Sequence, residues 1–357
     1  MPERKILFVT NNGIEDAAFG GAKASRRNYE LLKEYGQVDV AAILKKSNLA
    51  SMLSIAGGYF PPSGKGDLTR IGTMLDNGKY DFAFFDGSHF GNLVEYVKER
   101  GVKVICFFHN CEYDYIEVRF GKQKSLKKSI YKNLIQKQEK MAAQAADLNI
   151  VFTQRDAERI CGLYQVKKPE ILPLSLIDVY ERREPGKKER ECLLFGPLGQ
   201  ANQEAFGWFV KEVAPYLHCK TRVAGKGFEA YEKVWGSKKV IVQGFVQDIA
   251  QLYADAACVA IPLLSGGGMK IKTAEALMFG KYIFGTDEAF VGYEGAFEKI
   301  GGKCNSAQAF IDKLNTFLQK EKDSFSVYSR QLYEEKYSME ASREAFAKLL
   351  KRLYSSE

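Results

Sequence analysis

The chain has 357 residues, a formal net charge of +8, 46% hydrophobic and 27% charged residues. That balance excludes a disordered chain and a single small binding module, and the length suggests two domains of roughly 100–200 residues each. The basic excess is modest: it permits an anionic ligand or a membrane surface and gives no reason to expect nucleic acid.

The seven cysteines are odd in number and widely spaced, with no C-x-x-C pair. They read as reduced residues of a cytoplasmic protein, mostly in its core. The only histidines are His89, His109 and His218, too scattered from the cysteines to suggest a zinc site. No apolar run approaches the ~18 residues of a membrane span, and residues 6–9 are too short for the hydrophobic stretch of a signal peptide.

In chain order, residues 6–9 are a continuous apolar run, as expected of a strand buried on both faces of a parallel sheet. Gly20 and Gly21 precede a helix over 22–35, and a strand follows at 38–43. Residues 48–66 include Gly57-Gly58 and Pro61-Pro62, show little periodicity and read as a loop. Strands at 81–85 and 102–108 flank a helix at 90–100, and a helix over 124–146 leads to a strand at 148–152. This alternation is that of a doubly wound sheet. A charged, turn-rich stretch at 184–190 suits a linker. The pattern then restarts with strands at 192–195, 221–224, 240–242, 257–261 and 282–284. Helices fall at 202–214, 247–254, 270–279, 306–320 and 338–354. The expectation is an α/β chain of two Rossmann-like domains, with a ligand cleft beyond the C-terminal ends of the strands.

The strongest chemical signal is PLLSGGGMKIKTAEAL at 262–277, entered by a strand and left by a helix. Gly266, Gly267 and Gly268 let backbone N–H groups approach a ligand, the helix offers its positive end, and Lys270 and Lys272 add charge. This suits a diphosphate, although the G-K-[ST] ending of a Walker motif is absent. Glu275, about one turn later, is a hydroxyl acceptor suited to a ribose or sugar. The competing reading is a glycine loop before a solvated helix start.

Other candidates are weaker. Gly20 and Gly21 suit a close ligand approach or a tight turn. Arg26 or Arg27 suits an acceptor phosphate or simple solvation. His109 follows a strand and suits proton transfer or a hydrogen bond to a hydroxyl, with Glu112 to orient it; a structural histidine is the alternative. His89 also follows a strand. Residues 121–140 hold Lys122, Lys124, Lys127, Lys128, Lys132, Lys137 and Lys140 against Glu139. Leu126, Ile130 and Leu134 recur at i+4 and are expected to face the core, leaving a lysine face that is either solvated or docked on anionic lipid.

Taken together, these segments resemble the retaining GT-B glycosyltransferases of family 4, which include bacterial polysaccharide and mannosyl transferases. The resemblance rests on PLLSGGGMKIKTAEALMFGK (262–281) and Gly285-Thr286, supported by GFVQD (244–248), VAGKG (223–227), FGPLGQANQEAFGWFVKEVAP (195–215), HNCEYDY (109–115) and Gly20-Gly21. It implies an acceptor-binding domain at 1–180, a nucleotide-sugar-binding domain at 190–335, and a helix at 336–357 that crosses back to the first domain. It implies that Lys272 contacts the donor diphosphate, with Lys270 and Met269 nearby, that Glu275 binds the ribose, and that His109 touches the donor sugar. Gly244, Phe245 and Val246 would lie by the base.

Two departures stand out. Gly267 occupies the place of the family's first motif glutamate, and the basic pair usual after the first strand of the second domain is missing at 196–200. A subset of the family with a GGG-x-K-x-K motif shares these features. The implied reaction moves a sugar from a UDP- or GDP-linked donor to a glycan or lipid-linked acceptor with retention, without a metal or further cofactor. The location implied is cytoplasmic, with peripheral contact at the inner face of the plasma membrane through residues 121–140. A noncatalytic nucleotide-sugar or glycan-binding subunit and an epimerase or hydrolase on the same fold are the alternatives. A nicotinamide enzyme is disfavoured because no G-x-G-x-x-G follows the first strand.

Overall fold

The computed structural model describes residues 4–14, 20–121, 125–186, 190–295, 297–320 and 323–355. The chain divides into two units: Met1–Leu174 with Ser342–Glu357, and Ser175–Ala341.

The first unit holds strands β1 (Arg4–Thr10), β2 (Gly36–Ala42), β3 (Phe82–Asp86), β4 (Lys103–Phe108), β5 (Leu148–Val151) and β6 (Glu170–Ile171). They form one parallel sheet in the order β2-β1-β3-β4-β5-β6. Helices cover both faces, so the strands are apolar along their length rather than alternating. Ile6, Leu7, Phe8 and Val9 are fully buried. Leu7, Val9, Phe85, Val104, Cys106 and Phe108 pack with Leu93, Val94 and Val97 of helix Gly91–Glu99 and with Ala142 and Ala143 of helix Leu126–Ala145. On the other face Phe8 meets Phe84 at 5.8 Å, and Phe84 meets Phe346 of helix Met339–Ser355 at 6.2 Å. Six of the seven cysteines are buried and all are free thiols.

Two expectations need correction here. Residues 48–66 are not a loop: they contain helix Asn48–Ala56, capped by the Ser47 hydroxyl, and lead into helix Lys65–Asn77. The first of these helices is only nine residues long and is followed at once by Gly57-Gly58 and Pro61-Pro62, so its short period is outweighed by turn signals. In helix Leu126–Ala145 the expected core stripe is not the core face. Leu126 and Ile130 are exposed, and the buried side chains are Ile135, Gln138, Glu139, Ala142 and Ala143, because only the C-terminal half lies against the sheet layer. Lys122 and Lys124 lie outside the described residues.

The second unit holds β7 (Glu191–Phe195), β8 (Lys220–Ala224), β9 (Val240–Gln243), β10 (Ala256–Ile261), β11 (Ile283–Gly285) and β12 (Gly301–Lys303). Its parallel sheet runs β12-β11-β10-β7-β8-β9, the dinucleotide-fold order read from the other edge. The charged stretch at 184–190 is tied to this unit: Gly186 N–H donates to Asp255 at 2.8 Å, and the Glu184 carbonyl accepts from Gln251 at 3.2 Å. Residues 187–189 lie outside the described residues. Among the described residues no helix is long and apolar enough to cross a membrane, and no group of three or more His, Cys, Asp or Glu could hold a metal.

Candidate functional site

In an open parallel sheet, ligands bind at the C-terminal strand ends where the strand order reverses. In the second unit that point lies between β7 and β10. Gly196 follows β7, and the loop 262–270 follows β10. Gly196 has φ +150°, and a Cβ there would stand 3.2 Å from Lys272 Nζ. A Cβ on Gly225, just after β8, would collide with the Gly196 carbonyl oxygen at 1.9 Å. These strand ends therefore pack backbone on backbone, which only glycine allows.

Two helices begin at this edge. Helix Gln200–Glu212 starts from Gly199 and helix Ile271–Met278 from Lys270, and neither cap residue makes a side-chain cap hydrogen bond. Lys272 joins them. Its ammonium donates to Asn202 Oδ1 at 2.6 Å and lies 4.9 Å above the Phe206 ring. Burial pushes its pKa down to about 7, with Lys270 pushing the same way and Glu275 opposing. The Lys272 amine, bonded to a neutral amide and set beside two helix N-termini, gives this edge positive potential.

Lys270 is placed differently from Lys272. Its ammonium donates to the Gly267 and Gly268 carbonyls at 2.9 and 3.0 Å and pairs with Glu288 at 2.6 Å. It closes the glycine loop on itself. Gly268 takes φ +54°, and a Cβ on Gly266 would stand 2.9 Å from Lys270 Cε. Met269 is buried against Gly292, where a Cβ would meet its Cγ at 2.4 Å. Thr273 Oγ1 donates to Ala289 O at 2.7 Å and Tyr293 OH to Lys270 O at 2.8 Å, fixing the start of the helix. Glu275 is buried and accepts from Tyr253 OH at 3.3 Å, with the Tyr253 ring stacked on Phe279 at 4.4 Å. At the end of β9, a Cβ on Gly244 would meet Glu229 Oε2 at 2.5 Å, and Phe245 is 72% exposed, an aromatic face left open.

The first unit reverses strand order between β1 and β3, and a second polar cluster sits there. The Asp86 carboxylate, fully buried at the end of β3, accepts from His109 Nε2 at 2.7 Å, Asn28 Nδ2 at 2.7 Å and Thr10 Oγ1 at 3.0 Å. Burial alone would raise its pKa. The His109 charge and hydrogen bonds from His109, Ser25 and Asn28 more than offset that and hold it below the usual carboxylate range. With Nε2 on Asp86, the other ring nitrogen of His109 is left for a different partner. Phe107 and Phe152 meet the imidazole edge-on at 5.5 and 5.6 Å. Of this cluster only His109 is a sequence candidate; Asp86, Asn28, Ser25 and Thr10 join it through the fold. The one signal for Asp86 was its place at a strand end.

The remaining candidates are placed as follows. Gly20 and Gly21 open helix Gly20–Lys33, which carries Ser25 and Asn28. Arg27 is buried rather than solvated: it donates to Pro173 O at 3.2 Å, lies over Phe107 and Phe152, and is pushed down to about 9 by burial. His89 packs on Phe90 at 4.1 Å, and burial lowers its pKa to about 4. Glu112 accepts from Asn110 at 3.3 Å and does not bond His109. Glu139, on the lysine-rich helix, takes a structural role. It accepts from Ser88, Tyr164 and the N–H groups of Glu112 and Tyr113, capping helix Glu112–Phe120.

Residues 189–320 match the family model described as Glycosyl transferases group 1. The chain is also similar to solved structures over nearly its whole length. HepE from Anabaena, in complex with UDP and glucose, is 13% identical with a TM-score of 0.66, covering 98% of this chain and 100% of that one. Sucrose-phosphate synthase from Thermosynechococcus elongatus is 12% identical with a TM-score of 0.74, covering 99% and 100%. A glycosyltransferase from Rickettsia africae is 11% identical with a TM-score of 0.71, covering 100% of both chains. These likenesses establish the GT-B fold, with its two Rossmann-like domains. No curated protein matches the sequence.

Proposed function

We propose, from the GT-B fold and the match of residues 189–320 to the glycosyl transferases group 1 model, that this chain is a glycosyltransferase that moves a sugar from a nucleoside diphosphate donor to a glycan or lipid-linked acceptor with retention of configuration. The observation that carries this reading is Lys272: an ammonium held over Gly196 by Asn202, at the strand-order reversal and beside two helix starts. A diphosphate there meets one ammonium and the first-turn N–H groups of both helices. HepE, of the same fold, has been captured with UDP and glucose.

In this reading Lys272 and the helix ends stabilise charge on the departing diphosphate, where most of the transition-state charge collects. The same phosphate takes the acceptor proton on the face it leaves, which gives retention. Lys270 is a positioning residue that holds the loop through Glu288 rather than a phosphate ligand. Glu275 accepts from ribose hydroxyls and Phe245 stacks by the base next to Gly244 and Val246; in the first unit His109, held by Asp86, is the group suited to a sugar hydroxyl. Gly267 cannot supply the side-chain acceptor that many relatives place there, so donor-sugar contacts fall to backbone groups of residues 266–268. No metal enters this scheme. The protein works on the cytoplasmic side, with the lysine-rich helix Leu126–Ala145 near a membrane that carries the acceptor.

Calorimetric titration with UDP, GDP, ADP and dTDP, with and without magnesium, tests the donor reading. Saturable binding of one of them, unchanged by magnesium, is expected. No binding of any by folded protein would turn the reading toward a noncatalytic scaffold.

A further inference from the structure

Helix Asn48–Ala56 is built inside out. Its one buried side chain is Ser54, while Leu49, Met52 and Leu53 are 70%, 67% and 67% exposed. Spaced i, i+3 and i+4, these three share one stripe, and Leu44 just before them is also exposed. In a globular domain such a stripe faces the core. Here it is held outward by firm anchors. Ser47 caps the helix, and Gly57 and Tyr59 close its end with N–H bonds to Leu53 O and Ser54 O at 3.0 and 2.8 Å. Gly58 O accepts from Gln138 at 2.8 Å and Asn92 at 3.3 Å, and Phe60 packs on Tyr131 at 5.5 Å.

The charge around the stripe is predominantly basic, although Lys46 pairs with Asp67 at 2.7 Å. Residues 45–66 contain Lys45, Lys46 and Lys65 and no Asp or Glu. Through Gln138 and Tyr131 the segment is tied to helix Leu126–Ala145, where exposed Leu126 and Ile130 stand among Lys127, Lys128 and Lys132. The neighbouring helix Glu112–Phe120 adds exposed Val118 and Arg119; its Glu117 pairs with Lys128 and Lys132. A second copy on the same stripe would set two lysine-rich rims against each other, whereas an acidic surface neutralises them.

We infer that helix Asn48–Ala56 seats in the interfacial layer of an anionic lipid bilayer, with Leu44, Leu49, Met52 and Leu53 at the acyl boundary and the lysines on the headgroups. This deepens the reading of a membrane-borne acceptor and rests on it in part, since Lys127, Lys128 and Lys132 belong to the helix which that reading places near the membrane; what it adds is helix Asn48–Ala56. The test is flotation of the full chain with vesicles of phosphatidylcholine alone and with about 30 mol% phosphatidylglycerol, without nucleotide. Retention on the anionic vesicles and little on the neutral ones is expected. The L49D/L53D variant should lose at least about tenfold in partitioning, and K45E/K127E should lose binding to anionic vesicles. Both variants should keep the wild-type melting temperature and nucleotide binding, since all four side chains are exposed and distant in sequence from the glycine loop. Failure of the wild-type protein to float, or equal flotation of L49D/L53D, overturns the inference. So does a concentration-dependent dimer in ultracentrifugation that L49D/L53D abolishes without any vesicle binding. Because the assay contains no donor, its failure would leave the nucleotide reading as it stands, and loss of nucleotide binding would not alter flotation.

Discussion

Lys272 and Asp86 are ionisable groups whose folded-state pKa is lowered, so both make stability rise with pH, in different windows. The Lys272 ammonium is pushed down to about 7 by burial, from an ordinary 10.5. The folded chain therefore binds fewer protons there than the unfolded chain between these values, and this group makes stability rise with pH across that window. A bound diphosphate restores the proton. Affinity for a nucleotide sugar should thus fall as pH rises above about 7, and calorimetry near pH 8 in buffers of different ionisation enthalpy should record proton uptake. Binding without proton uptake would show that Lys272 does not face the phosphates. Asp86 is held below its ordinary 3.8, so its contribution is full above that value and is lost as pH falls through the folded one. Asp86→Ala strands the donors of His109, Asn28 and Thr10. It should cost about 2–4 kcal/mol in urea unfolding near neutral pH. A loss below about 0.5 kcal/mol would mean these donors are satisfied elsewhere.

At the scale of elements, the glycine loop is a latch closed by Lys270 on Glu288 and two of its own carbonyls. Lys270→Met and Glu288→Gln should weaken nucleotide binding to a similar degree, and their effects should not add, because each opens the same latch. Additive losses in a double-mutant cycle would instead make Lys270 a separate ligand. Glu139 does comparable structural work from the lysine-rich helix. Burial, with Glu112 adding to it, raises its pKa to about 7 against an ordinary 4.5. The folded state thus holds more protons there between these values, and stability from this group falls as pH rises across them. The Glu139→Gln variant should flatten the slope of stability against pH between about 4.5 and 7, followed by chemical denaturation; an unchanged slope would place that titration elsewhere.

The same elements show what the sequence made legible. Strands buried on both faces announce themselves as apolar runs, so β1, β3, β4, β7 and β10 could be read directly. The glycine loop was legible because glycines, lysines and a helix start coincide. What could not be read was direction. Lys270 and Lys272 look alike in sequence, yet one turns back to the loop carbonyls and the other reaches Asn202 on a different helix. Helix Asn48–Ala56 is illegible because it is short and followed by glycine and proline pairs, and Asp86 because its donors come from β1, helix Gly20–Lys33 and the end of β4.

For the whole molecule, the two units are closed by different means. The second is continuous in sequence, while the first is completed by the end of the chain. There Phe346 is fully buried, 5.3 Å from Tyr35 and 6.2 Å from Phe84, and Lys103 donates to Leu353 O at 3.1 Å. Phe346→Ala should cost the first unit about 3–5 kcal/mol. Scanning calorimetry should show its transition move down while a nucleotide added to the second unit still raises the other. The central claim, that the strand-order reversal of the second unit grips a diphosphate through Lys272, is tested most directly by titrating UDP and GDP into wild type and Lys272→Met. The account predicts affinity weaker by at least about tenfold, as expected for loss of a charge-assisted contact, in a variant that still unfolds cooperatively. Equal affinity in the two proteins would contradict it.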